Sequence, residues 1–197
     1  MTAMVFLDKD GTLIEDVPYN VDPEQIRLVR SGTRALQLLA EHQCSVVVVS
    51  NQSGVARGLF PEAALVAVQE RIAVLCRDFG VEVLGFYYCP HHPEGAVPEF
   101  AVDCGCRKPA DGLLRRAAED LGVPLSEAWM VGDILDDVEA GNRAGCRTVL
   151  IDNGDETEWR LPAIRWPNAV VRTLEGAARL IVADGMRVRP QTLRASA

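Results

Sequence analysis

Two aspartates near the start of the chain, Asp8 and Asp10, have the spacing of a catalytic carboxylate pair. They follow a short apolar run and are followed by Gly11 and Thr12. In an extended backbone both carboxylates face the same side, where a cation or a shared proton must relieve their repulsion. One carboxylate can then attack phosphorus while the other, held protonated, donates to the leaving oxygen. The alternative is an ordinary turn, because Asp and Gly are favoured turn residues.

Cysteines and histidines form a second reactive group, in residues 89–109, a segment without helical or strand periodicity. A Cys-x-His hook and a Cys-x-Cys hook can together wrap one tetrahedral zinc ion, which accepts thiolate and imidazole ligands. The predicted ligands of this structural zinc are Cys89, His91, Cys104 and Cys106, with His92 as the alternative to His91. A long segment without secondary structure is unusual in a compact domain. Bound zinc would account for it, because the metal would hold the segment together in place of a hydrophobic core.

Composition and charge restrict the class of protein. The 197 residues are 48% hydrophobic, enough for one sizeable core, and the net charge is −8 with a pI near 4.9. This acidic balance argues against a nucleic-acid partner, whereas a phosphorylated metabolite needs only a few local cations or a metal. The sequence shows neither a membrane-length apolar run nor a secretory signal. We therefore expect a cytoplasmic monomer or small homo-oligomer, with no membrane partner.

Short apolar runs alternate with amphipathic stretches, and this alternation predicts the elements that position the reactive residues. Strands are predicted at 4–7, 44–49, 83–88, 128–131 and 147–151, and helices at 30–42, 61–79, 110–121, 136–144 and 174–182. The pattern predicts an α/β fold, a three-layer Rossmann-like parallel sheet with helices on both faces. Ligands bind beyond the carboxyl ends of such strands, so the polar residues that follow separate strands should meet there.

The chain is expected to form one domain over residues 1–185, including the zinc loop 89–109. We find no internal repeat or low-complexity tract that would indicate a second domain. Residues 186–197 are polar and rich in arginine, with little apolar surface to pack, and we predict a flexible tail there.

Four motifs resemble, in order, those of the haloacid dehalogenase superfamily. They are the stretch from Val5 to Leu13 with both aspartates, the apolar strand ending at Ser50, Lys108 before Pro109, and Val131-Gly132-Asp133 with Asp137. The resemblance implies a magnesium-dependent phosphatase that works through an aspartyl-phosphate. Asp137 is expected to orient Asp133 or to cap the following helix.

The resemblance also implies a role for each motif residue. Asp8 is the implied nucleophile, and Asp10 is the implied general acid and then general base. Ser50 and Lys108 are implied to contact the transferring phosphate. The implied magnesium ligands are Asp8, Asp10 through its carbonyl, and Asp133.

The zinc loop narrows the resemblance to a capless, zinc-bearing branch of the superfamily. The strings Cys-Pro-His-His-Pro from Cys89 and Cys-Gly-Cys-Arg-Lys-Pro from Cys104 are similar to that branch, as is the stretch from Ser50 to Gly58. The resemblance implies that the fold has no large cap. It also implies that Arg107 contacts the substrate and that Asn51 and Arg57 lie near it.

These features favour a sugar bisphosphate substrate, because an arginine fork suits a second phosphate. By the resemblance, the leading candidate is D-glycero-D-manno-heptose 1,7-bisphosphate, hydrolysed at the 7-position. Histidinol phosphate is the alternative, for which Glu15 or Asp16 would line the pocket. A catalytically silent, zinc-stabilised binding protein is the alternative from another class, and the intact motif residues argue against it.

Overall fold

In the computed structural model, which describes residues 3–188, a six-stranded sheet is covered by five α-helices. The strands are β1 (Met4–Leu7), β2 (Ser45–Asn51), β3 (Val83–Cys89), β4 (Ala128–Gly132), β5 (Arg147–Ile151) and β6 (Ala169–Val171). The helices are α1 (Gly32–Glu41), α2 (Leu65–Arg77), α3 (Gly112–Leu121), α4 (Leu135–Ala144) and α5 (Leu174–Val188). None of the helices in this described part is both long and apolar enough to cross a bilayer.

All strand pairs are parallel, and the order across the sheet is β3-β2-β1-β4-β5-β6. Successive residues of β1 point to opposite faces. Val5 and Leu7 therefore pack with α1, α2 and α5, while Met4 and Phe6 pack with α3 and α4. All four side chains are buried, as expected for a parallel strand covered on both faces. The predicted three-layer α/β fold is confirmed.

The strand order reverses beside β1, which places a crevice there. The chain adds β2 and β3 on one side of β1 and then β4, β5 and β6 on the other. Leu7, the last residue of β1, pairs with Val48 of β2 and with Val131 of β4. The segments that follow β1, β2 and β4 therefore leave the sheet at one edge, where sheets of this kind bind ligands.

Several element boundaries differ from the predictions. The structure adds β6, whose three residues (Ala169–Val171) are too few to stand out as an apolar run. The helix predicted at 61–79 begins with a 3-10 turn at Glu62–Ala64 before α2 starts. Helix α5 continues to Val188, into the segment predicted as a tail. The remainder of that predicted tail, 189–197, lies outside the described residues.

The segment between β3 and α3 contains no helix or strand, as expected for the loop 89–109. Backbone hydrogen bonds hold it in place: His92 N–H donates to Phe100 O at 3.1 Å, and Val97 N–H donates to Ala56 O at 2.9 Å. The second bond ties the loop to the turn that follows β2.

Candidate active site and metal centres

A buried ammonium group lies at the carboxyl edge of the sheet. Asp8 directly follows β1, and its N–H donates to Val131 O at 2.9 Å. Its carboxylate pairs with Lys108 Nζ. The same Nζ lies 2.6 Å from a carboxylate oxygen of Asp137 and donates to Val49 O at 3.1 Å. Burial alone would lower the pKa of Lys108, but the charges of Asp137 and Asp8 raise it, so this lysine is a fixed cation.

Three carboxylates crowd around this cation. Oxygen atoms of Asp8, Asp133 and Asp137 lie within 4.8 Å of one another, and Thr12 Oγ1 donates to Asp133 at 2.9 Å. Burial, together with the charge of Asp8, raises the pKa of Asp133 to about 8. Burial likewise raises the pKa of Asp137 to about 7, against the opposing charge of Lys108. Such a group needs a further cation, and carboxylate oxygens are the ligands that magnesium prefers, so the residues fit a magnesium ion.

Asp10 lies outside this group of carboxylates. Strand β1 ends at Leu7, so Asp8 and Asp10 belong to the turn after the strand and not to one strand face. The Asp10 carboxylate accepts from Lys9 Nζ at 2.5 Å and from Gln52 Nε2 at 3.5 Å. Burial raises its pKa, although the charge of Lys9 works against the shift. A carboxyl group in this environment is suited to hold and release a proton.

Asp10 lines a cavity of about 260 Å³. Residues from the segment after β1 form one wall of the cavity, among them Asp16, Tyr19 and Asn20, and Asn51 to Gly54 form another. The cavity therefore joins the carboxylate turn to the end of β2.

The end of β2 fixes the position of Lys108. Asn51 Nδ2 donates to Lys108 O, and Asn51 Oδ1 accepts from Lys108 N–H, both at 3.0 Å. The Ser50 side chain is buried and its Oγ accepts from Gln52 Nε2 at 2.7 Å. Asn51, which was predicted to lie near the substrate, thus holds the backbone of the buried lysine in the structure.

The four predicted zinc ligands meet at one point. The ligand atoms of Cys89, His91, Cys104 and Cys106 all lie within 4.8 Å of one another. The three sulfur atoms are 3.1 to 3.5 Å apart, well beyond the roughly 2.05 Å of a disulfide. His91 Nδ1 lies 3.3 Å from the Cys106 sulfur. Three thiols and an imidazole are the donor set of a closed tetrahedral zinc site, so these residues fit zinc.

His92 lies outside the sulfur cluster, so the geometry selects His91 over the alternative. The ring of His92 contacts Arg57 Nη2 at 3.0 Å and accepts from Glu94 N–H at 3.1 Å. Arg107 Nη1 lies 3.5 Å from His91 O. His92, Arg107 and Lys108 line one open cavity of about 640 Å³.

Two glycines let the backbone approach the carboxylates. Gly11 has a φ of +73°, and a Cβ added there would lie 2.2 Å from Asp133 Oδ2. A Cβ added at Gly132 would lie 2.2 Å from Asp137 Oδ2. Any larger residue at either position must push a site carboxylate aside.

Four polar residues that the sequence analysis did not assign complete the site: Lys9, Thr12, Gln52 and Asn153. The first three adjoin assigned motif residues and contact Asp10, Asp133 and Ser50. Asn153 follows β5 and donates to Gly11 O at 3.0 Å. The rule that polar residues after strands meet at one edge, applied to β5, would have identified Asn153.

Comparison with known proteins agrees with this geometry. The family model described as HAD-hydrolase-like matches residues 105–177. The chain is 38% identical over 151 residues to a D-glycero-beta-D-manno-heptose-1,7-bisphosphate 7-phosphatase of Yersinia pestis, covering 76% of this chain and 80% of the relative. A protein of the same name from Pasteurella multocida is 40% identical over 155 residues, covering 78% and 84%. The D,D-heptose 1,7-bisphosphate phosphatase from B. bronchiseptica, crystallised with magnesium and phosphate, is similar with a TM-score of 0.74 and 28% identity, covering 93% and 99%.

Proposed function

We propose, since this chain belongs to the haloacid dehalogenase-like family of phosphatases, that it removes the 7-phosphate of D-glycero-D-manno-heptose 1,7-bisphosphate. By that membership the chain is a phosphoric monoester hydrolase. The observation that carries the proposal is the buried cation Lys108, paired with Asp8 beside two further carboxylates. The relatives that are 38% and 40% identical over most of the chain bear the name of this activity.

Asp8 is the proposed nucleophile. A carboxylate oxygen of Asp8 attacks phosphorus, the bond to the sugar oxygen breaks, and an aspartyl-phosphate forms. Attack requires that negative charge on the incoming phosphate be neutralised. The Lys108 ammonium supplies a positive charge beside Asp8, and the Ser50 hydroxyl supplies a donor. Asp137 keeps the Lys108 ammonium in position through the 2.6 Å contact.

Asp8, the carbonyl of Asp10 and Asp133 would hold the magnesium ion. When bound, magnesium neutralises charge on the transferring phosphate. Thr12 fixes the Asp133 carboxylate by a hydrogen bond of 2.9 Å. Asn153 fixes the turn itself, through its bond to Gly11 O.

Asp10 is the proposed general acid and base. The raised pKa lets its carboxyl group carry a proton to the leaving sugar oxygen. The resulting carboxylate then takes a proton from the water that attacks the aspartyl-phosphate. Lys9 and Gln52 hold the group in place during both steps.

Arg107 is the proposed partner of a second phosphate on the substrate, because it lies close to the reacting group. Arg107 is the neighbour of Lys108 in sequence and lines the same cavity. It directly follows Cys106, so the proposed structural zinc would fix the position of Arg107. A guanidinium fork suits a phosphate dianion.

Histidinol phosphate remains the second candidate substrate. Asp16 lines the cavity beside Asp10 and offers the negative charge that an imidazolium would need. Glu15 is exposed and lies outside that lining. We also propose that the protein acts in the cytoplasm, as a monomer or small homo-oligomer.

The test is phosphate release in the presence of magnesium from heptose 1,7-bisphosphate in both anomers, fructose 1,6-bisphosphate, histidinol phosphate and an aryl phosphate. We expect the highest kcat/KM with one heptose anomer. A preference for histidinol phosphate would leave the proposed aspartyl-phosphate mechanism unchanged and would make histidinol phosphate the substrate. No release from any of them by zinc-loaded protein would favour the binding-protein alternative.

A further inference from the structure

Helix α4 begins directly beside the buried carboxylates of the site. Strand β4 ends at Gly132, Asp133 follows it, and the helix starts at Leu135 with Asp137 in its first turn. Asp133 and Asp137 are two of the three carboxylates that cluster around the buried ammonium group. A shift of the start of α4 would therefore move both of them.

The residue before this helix cannot cap it. The first backbone N–H groups of a helix have no partner within the helix, and a side-chain oxygen of the N-cap residue usually accepts from one of them. In α4 the N-cap residue is Ile134, whose hydrocarbon side chain has no acceptor atom. The first turn of α4 therefore needs an acceptor from another residue.

The two carboxylates of the first turn have other partners. Asp136 pairs with Arg165 at 2.9 Å. One oxygen of Asp137 lies 2.6 Å from Lys108 Nζ, and the other accepts from the backbone N–H of the N-cap residue at 3.4 Å. The N–H of Leu135, the first residue of the helix, is thus left for an acceptor outside the helix.

Glu156 supplies that acceptor from the segment between β5 and β6. Its Oε2 accepts from Leu135 N–H at 2.6 Å, across 21 positions of the chain. Its Oε1 accepts from Glu158 N–H at 2.5 Å, which fixes the carboxylate within its own segment. A negative charge is also what the positive end of a helix dipole favours. Glu156 therefore caps α4 in place of the N-cap residue.

The same segment holds the other half of the site. Asn153 donates to Gly11 O at 3.0 Å, in the turn that carries Asp8. Asn153 and Glu156 thus bind the turn after β1 and the helix after β4 from one short stretch of chain. These are the two elements from which the carboxylates of the proposed magnesium site come.

We propose that Glu156 is a positioning residue for phosphoryl transfer and acts through Asp137. The cap fixes the first turn of α4, so that the Asp137 carboxylate stays beside Lys108 Nζ. Lys108 in turn keeps its charge next to Asp8, where the transferring phosphate must be neutralised. This inference rests on the proposed phosphatase function, because the roles of Lys108 and Asp8 belong to that function.

Three substitutions separate the hydrogen bond from the charge. Glu156→Ala removes the acceptor, whereas Glu156→Gln keeps a side-chain oxygen and removes the charge. Glu158→Ala is the matched control, because this exposed glutamate lies two positions away and reaches Glu156 only through its backbone N–H, which alanine retains.

The assay measures kcat and KM with heptose 1,7-bisphosphate at saturating magnesium. Glu156→Ala should lower kcat about tenfold and leave KM within about twofold, since a shift below 1 Å costs less than the roughly 100-fold of a full 1 Å displacement. Glu156→Gln should return kcat to within about threefold of wild type, because the capping bond is kept. Glu158→Ala should have the kcat of the wild type.

A double-mutant cycle with Asp137→Asn distinguishes positioning from a general loss of stability. If Glu156 acts through Asp137, then Glu156→Ala should cost no more than about twofold in kcat once Asp137 is already asparagine, because effects that pass through one contact are not additive. A merely structural cap would give the same tenfold loss in both backgrounds.

Amide hydrogen exchange at Leu135 tests the cap without any activity. Its protection should fall about tenfold or more in Glu156→Ala and persist in Glu158→Ala. Unchanged protection would refute the cap, whatever the substrate is. A wild-type kcat in Glu156→Ala, a Glu156→Gln variant as slow as Glu156→Ala, or additive losses with Asp137→Asn would overturn the positioning role while the phosphatase function stands. A wild-type protein that releases no phosphate from any substrate would overturn the proposed function and the positioning role together, and the exchange result for the cap would still hold.

Discussion

Replacing Gly11 by alanine tests whether one close contact positions the metal-binding carboxylates. Gly11 has a φ of +73°, and an added Cβ would lie 2.2 Å from Asp133 Oδ2. Gly122 provides the matched control, because its φ is +65° and nothing lies within 4 Å of an added Cβ. Both substitutions carry the backbone cost of a left-handed alanine, and only Gly11→Ala also displaces Asp133.

The shared backbone cost is about 1–2 kcal/mol of stability. The additional cost at Gly11 comes from the contact, because real Cβ atoms essentially never approach a heavy atom closer than 3.0 Å. Asp133 must therefore move by about 1 Å, and a displacement of that size in a catalytic group can lower the rate about 100-fold. Thr12, which holds Asp133 at 2.9 Å, opposes the movement. We expect Gly11→Ala to lose about 100-fold in kcat/KM and Gly122→Ala to stay near wild type.

Initial rates of phosphate release, measured against magnesium concentration, show the effect on the metal site. Urea denaturation of the same variants shows how much stability each has lost. Gly11→Ala should raise the half-saturating magnesium concentration, whereas Gly122→Ala should only lower the free energy of unfolding. Wild-type magnesium dependence in Gly11→Ala, or equal rate losses in the two variants, would refute the reasoning.

Four further predictions concern single groups of the site. Asp8→Asn should abolish phosphate release with thermal unfolding unchanged, because an amide cannot attack phosphorus; measurable turnover would reject Asp8 as the nucleophile. Asn51→Ala should lower kcat about tenfold, because two 3.0 Å hydrogen bonds to the Lys108 backbone are lost; an effect confined to KM would make Asn51 a substrate contact instead. The pKa of Asp133 is raised to about 8, so protons should compete with magnesium below that pH; a half-saturating magnesium concentration that stays constant as pH falls would contradict this. Metal analysis should find about one zinc per chain, less in Cys106→Ser, and a fully stable zinc-free protein would exclude a structural zinc.

The parts of the fold that could be predicted are those marked by residues close together in the sequence. The apolar runs of β1 and β2 mark buried strands, and Asp8 and Ser50 follow or end those runs, so the edge at which they meet follows from topology alone. The zinc loop was predictable for a similar reason, since Cys104 and Cys106 form a hook within three residues.

The parts that were not predicted depend on pairs far apart in the chain. Asn51 clamps Lys108 across 57 positions, and Asn153 reaches Gly11 across 142. No periodicity marks such a pair, because the two partners lie on different elements whose distance is set by packing. Asp8 and Asp10 do not share one strand face, and the cause is local: β1 ends at Leu7, so both aspartates lie in the turn that follows it.

Lys108, proposed to act in phosphoryl transfer, and Arg107, proposed to bind a second phosphate, are adjacent in sequence but are held in place by different contacts. Lys108 is fixed by the Asn51 clamp and by Asp137, neither of which belongs to the zinc loop. Arg107 depends on that loop, because Cys106 adjoins it in the chain and is a predicted zinc ligand. Zinc would therefore serve substrate recognition more than phosphoryl transfer. Loosening the loop would release Arg107, which is proposed to face a second phosphate, while Lys108 keeps its anchors to Asn51 and Asp137.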